Sequence, residues 1–163
     1  MPDHQGILDK CYDRWQKSDP MWPMEEFWEQ LDPEEYFAVM TGKLNQQVEN
    51  GGFLQWYDNQ YGTAEIVNYL IETLPRLNTV SCMQVVELLR QYKEAVEMRD
   101  EWDEEDDRYE NFSGNVEPLD TAYYAINEQF MRDVQEALNK GTWRDPHNPH
   151  ADCKPDECIM NAL

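Results

Sequence analysis

Apolar residues recur along this chain at intervals of three and four, the period of one helix face, from its beginning to about residue 140. Leu8, Cys11, Tyr12 and Trp15 form the first stripe, which closes near Ser18-Asp19-Pro20. A link punctuated by Pro20 and Pro23 leads to a short predicted helix with Phe27, Trp28 and Leu31. Asp32-Pro33-Glu34-Glu35 then reads as a helix start: a capping carboxylate, a first-turn proline and two acids facing the positive end of the macrodipole. The helix it opens carries Phe37, Met40, Leu44 and Val48. Asn50-Gly51-Gly52 is expected to end it, because glycine adopts the left-handed conformation of a helix stop.

A short aromatic segment, Phe53 to Tyr61, precedes Gly62. Thr63 is the expected cap of the next helix, whose stripe is Ile66, Val67, Leu70, Ile71 and Leu74 and which Pro75 stops. A long helix is predicted from Asn78 to about Asp100, with Cys82, Val85, Val86, Leu89, Tyr92 and Val96 on one side. The last runs from about Pro118 to Lys140, gathers Leu119, Tyr123, Ile126, Phe130, Val134 and Leu138, and is closed by Gly141. Nothing alternates with the two-residue period of a strand. The reading is an all-α, single-domain bundle of about six to seven helices over residues 1–141. The polar, Pro-rich segment 142–163 is expected to be an irregular tail, packed loosely or not at all.

Composition supports a packed core and limits the partners. Of 163 residues 40% are hydrophobic and 12% aromatic, too large an apolar payload for a disordered acidic chain. The formal net charge of −21 opposes direct, non-specific binding to nucleic acid and disfavours anionic membranes, so partners should be cationic. No apolar run approaches the roughly 20 residues needed to cross a bilayer, and the first residues lack a secretory pattern. Four cysteines are too few and too unevenly placed for a disulfide framework, and Cys11 and Cys82 fall within apolar stripes. A cytoplasmic protein is expected.

The acid is concentrated. Residues 100–120 contain ten acids (Asp100, Glu101, Asp103, Glu104, Glu105, Asp106, Asp107, Glu110, Glu117 and Asp120) against the single base Arg108. At the C-terminal end of a helix each acid would cost about 0.3–1 kcal/mol against the macrodipole. A frayed, solvated acidic loop would avoid that cost. The alternative is that closely spaced negative charge is tolerated because it is used. Side chains at i and i+4 on a helix lie about 5–6 Å apart, near the spacing of phosphates along a strand, so arginine and lysine arrays made for phosphate would meet familiar acceptors. Glu25, Glu26, Glu29, Glu34 and Glu35 form a second acidic region.

Catalytic signals are lacking. There is no Gly-rich phosphate loop and no H-E-x-x-H, and the three histidines lie near the ends of the chain. A calcium loop starting at Asp103 would need glycine where Arg108 stands and glutamate where Gly114 stands. His147, His150, Cys153 and Cys158 are competent zinc ligands, but the short gap between His150 and Cys153 leaves little chain to wrap a tetrahedron. No cofactor is expected, and the metal reading is the minor one.

The stretch from Lys43 to Gly62 resembles the signature of the bacterial DNA-mimic protein C-terminal-domain family. Asn50, Gly51, Gly52, Phe53, Gln55 and Asn59 match its pattern, with Trp56 and Tyr57 where that pattern has Tyr followed by Phe. The likeness of layout extends over about residues 32–138. The motif itself reads as structural: Asn-Gly-Gly turns the chain, Phe53, Trp56 and Tyr57 anchor it, and Asn50, Gln55 and Asn59 satisfy open backbone groups at helix ends. The resemblance implies an all-helical, non-enzymatic acidic protein that occupies the DNA-binding surface of a basic protein, such as a regulator, nucleoid protein or nuclease. The ten acids of residues 100–120 are then the candidate interface, and a homodimer would lengthen it. The alternative is an immunity-type inhibitor neutralising one cationic toxin or nuclease, with Trp102 and Tyr109 as buried anchors.

Overall fold

The computed structural model describes residues 3–17, 28–100 and 105–145, and for 15–17, 100 and 105–109 the backbone alone. Among the described residues it contains six α-helices and no strand. They are α1 (His4–Lys17), α2 (Pro33–Asp58), α3 (Ala64–Thr73), α4 (Val80–Asp100), α5 (Glu105–Tyr124) and α6 (Asn127–Lys140), with a 3-10 turn at Leu74–Leu77. The all-α expectation holds.

The start of α2 follows from its sequence. The Asp32 carboxylate accepts the Glu35 backbone N–H at 2.8 Å and the Glu35 carboxylate accepts that of Asp32 at 3.1 Å, a reciprocal capping box. Six consecutive residues, 37–42, are buried, as in a helix surrounded by others on all sides. α1, α3, α5 and α6 all pack against α2. His4 fastens α1 to it through Nε2, 3.0 Å from the Ala38 carbonyl oxygen. Burial lowers the pKa of that imidazole and so favours its neutral form. Thr63 caps α3 as expected, and Pro75 turns the chain into the 3-10 turn.

α4 supplies Cys82, Val85, Val86, Leu89 and Tyr92 to the core, the stripe legible in the sequence. α5 packs along it as an antiparallel partner. An aromatic knot joins three helices: the Phe53 ring lies 5.9 Å from both Tyr92 and Tyr123, and Trp56 lies 4.9 Å from Tyr92. Tyr92 donates its hydroxyl hydrogen to the Gly62 carbonyl at 2.7 Å. That contact leaves no space for a side chain on Gly62.

Three expectations are corrected. The helix predicted over Pro118–Lys140 is two helices, broken at residues 125–126, where the Ile126 N–H reaches Tyr123 O in a tighter turn. α5 also begins at Glu105, well before Pro118. Asn50-Gly51-Gly52 does interrupt the helix at Gly52, as expected, but the segment after it is helical again rather than a short aromatic link. The helix continues to Asp58 across a kink at Gly52, whose φ of 79° and ψ of −177° lie in a region open almost only to glycine. Finally, the chain beyond Gly141 is not all loosely packed: Trp143 is 1% exposed and stacks on Phe37 at 5.7 Å.

Candidate functional site

The acidic run spans the end of one helix and the start of the next. Asp100 is the last residue of α4, and Glu105, Asp106 and Asp107 are the first three of α5. Glu101, Asp103 and Glu104 lie outside the described residues, as does Trp102. For Asp100, the three acids of α5 and Tyr109 the backbone alone is described. This placement changes the expected energetics. Glu105, Asp106 and Asp107 stand at the positive end of α5, where each acid contributes about 0.3–1 kcal/mol of stabilisation, rather than opposing the dipole of α4.

Farther along α5, Glu110 and Glu117 are exposed. Asp106, Glu110, Ser113 and Glu117 fall at i, i+4, i+7 and i+11, so they occupy one stripe of the helix. Among the described residues no cation pairs with Glu110 or Glu117. The buried residues Phe112, Val116, Leu119 and Tyr123 hold the opposite flank of α5 against α2 and α4.

Asp120 is turned inward. Its Oδ1 accepts the Phe53 backbone N–H at 2.8 Å, the donor set free by the kink at Gly52. A Cβ on Gly52 would collide with the same carboxylate. Burial raises the pKa of Asp120, the Phe53 hydrogen bond opposes that rise, and nearby Glu117 adds to it.

The second acidic region divides. Glu25 and Glu26 lie outside the described residues, and Glu29 is exposed. Glu35 is used in the capping box and in an ion pair with Arg14. Glu34 is half-buried beside it in the first turn of α2. Sequence reasoning had not included Glu49, which is exposed on α2 and accepts from Asn127 Nδ2 at 2.7 Å. Nor had it included Tyr124, 45% exposed, whose hydroxyl donates to the Val48 carbonyl at 2.7 Å. Helical spacing could have flagged Glu49 as solvent-facing, but nothing local links it to α5 and α6.

The motif residues form a scaffold, by a different route from the one expected. Gln55 Nε2 and Asn59 Nδ2 both donate to Gln47 Oε1, at 3.1 and 2.6 Å, rather than to open backbone groups. Asn50 and Gly51 are exposed, whereas Phe53 and Trp56 are buried. Tyr57 packs on Phe112 at 4.6 Å and carries the Arg99 guanidinium over its ring at 5.2 Å.

The Cys11 thiol is buried beside Glu35, and its pKa is pushed up to about 12 by burial and by that carboxylate, the reverse of activation. Among the described residues no group of three His, Cys, Asp or Glu could hold a metal ion. His147, His150, Cys153 and Cys158 lie outside the described residues. No described helix is long and apolar enough to cross a membrane. A family model described as DMP19-like protein matches residues 29–141. No curated protein and no solved structure matches the chain.

Proposed function

The chain belongs to the DMP19-like protein family, and on that premise we propose that it is a non-enzymatic DNA mimic that competes with DNA for a basic DNA-binding protein. The observation that carries this reading is that Asp100 ends α4, Glu105, Asp106 and Asp107 open α5, and the exposed carboxylates of Glu110 and Glu117 follow on α5 with no cation paired to them among the described residues. Glu117 stands seven positions beyond Glu110, a rise of about 10.5 Å at about 1.5 Å per residue. Three steps along one DNA strand advance by about 10.2 Å, at about 3.4 Å each. Carboxylates fixed to a packed helix therefore offer arginine and lysine side chains acceptors at a repeat they already fit. The partner is a regulator, a nucleoid protein or a nuclease, and Asp100, Glu101, Asp103, Glu104, Glu105, Asp106, Asp107, Glu110 and Glu117 form the contact surface. Asp120 supports that surface from behind. Its carboxylate is committed to the kink.

Reversal of four charges, Asp106→Lys, Asp107→Lys, Glu110→Lys and Glu117→Lys, tests the assignment. A basic partner recovered from native cytosol at low salt is loaded with a fluorescent duplex. The unaltered protein should release the duplex and the fourfold variant should not, with the helical circular-dichroism spectrum retained. Release that persists in the variant would refute the surface.

A further inference from the structure

A second feature lies away from the acidic run. The turn before α2, the first turn of α2, the start of α3, the 3-10 turn and Trp143 enclose a cleft of about 660 Å³. That volume is in the range that accommodates a small ligand or several side chains. Its walls are aromatic. Trp28, Tyr36 and Tyr69 are half-buried, and the Tyr36 and Tyr69 rings meet edge to face at 4.7 Å. Its rim is acidic, with Glu29 and Glu65 both exposed. Glu65 is near enough to Tyr36 to help burial raise the pKa of the phenol. Among the described residues that line it, Arg76 supplies a guanidinium, which donates from Nη1 to the Trp143 carbonyl at 3.1 Å and is thereby tied to the backbone.

Aromatic faces and carboxylates attract the same kind of ligand. A planar guanidinium stacks on rings and forms forked hydrogen bonds with carboxylates, and the −21 net charge raises the local concentration of any cation. We infer that this cleft receives an arginine side chain of the basic partner, a second anchoring point outside the DNA-like surface. The inference rests on the reading above only in taking that arginine from the same partner.

The probe is a blocked Gly-Arg-Gly tripeptide, titrated into the full chain by calorimetry, with its citrulline counterpart as the neutral isostere. The arginine peptide should saturate one site and bind at least about tenfold more tightly than the citrulline peptide. Glu65→Gln, a change at an exposed position, should weaken it severalfold, Tyr69→Ala should abolish it, and Tyr69→Phe, which keeps the ring, should retain it. Equal binding of both peptides, or no effect of Glu65→Gln and Tyr69→Ala, would overturn the inference. So would variants that lose the tripeptide yet hold the whole partner unchanged, because the guanidinium bound would then not be the partner's. The fourfold charge reversal on α5 should weaken tripeptide binding only through the general field, a loss that added salt removes, and should keep the preference for arginine over citrulline. A protein that binds the tripeptide but never displaces DNA would sink the DNA-mimic reading, and one that displaces DNA but ignores the tripeptide would sink the cleft.

Discussion

Asp120 joins two elements that sequence keeps 67 residues apart. Removing its side chain leaves the Phe53 N–H without its acceptor, a loss of about 1–3 kcal/mol for a buried donor. Asp120→Asn keeps an acceptor oxygen and sheds the burial penalty that raises the carboxyl's pKa. Asp120→Ala is therefore expected to lower the urea midpoint clearly, whereas Asp120→Asn should leave it nearly unchanged. Matching losses for both would show that the charge, and not the acceptor, holds the kink. The carboxylate at this position was legible as acid, but its duty was not. Composition and spacing present it as one more surface charge, and only the approach of α5 to Gly52 makes it a backbone acceptor. The Asp32 cap of α2 was legible because its parts lie within four residues, whereas Glu35 was read only as an acid facing the dipole and not as the acceptor of the Asp32 N–H.

At the level of the helices, legibility follows the same division. The stripe of α4 is a local pattern and was read correctly. The break at residues 125–126 was invisible because Leu119, Tyr123, Ile126, Phe130 and Val134 keep helical spacing straight through it. The acidic run looked costly because its helix was expected to end there, when most of its described part opens α5 instead. α5 also contains a weakness of its own. Pro118 has no N–H to donate to the Gly114 carbonyl, and Gly114 is exposed with no atom within 4 Å of an added Cβ. Gly114→Ala should stabilise the protein by about 0.5–1 kcal/mol, seen as a higher urea midpoint at constant slope. A lower midpoint would mean that the helix needs glycine's freedom to pass the proline.

Over the whole molecule, charge acts in opposite directions on folding and on binding. A formal −21 on 163 residues favours expansion, so the folded state carries self-repulsion that salt relieves. The same salt screens attraction to a cationic partner, as the Debye length falls from about 30 Å at 0.01 M to about 8 Å at 0.15 M. Across that range the melting temperature should rise while partner affinity falls. Affinity insensitive to salt would point to an interface dominated by apolar anchors.

Trp143 has a further consequence. Its ring lies against Phe37 near the start of α2, and its carbonyl is held by Arg76 from the 3-10 turn. The short stretch after α6 thus works as a latch that returns the chain at Trp143 to its first long helix. Any shortened form of this protein must therefore be cut beyond the latch: trimming at Gly141, where helical periodicity stops, would unfasten the fold.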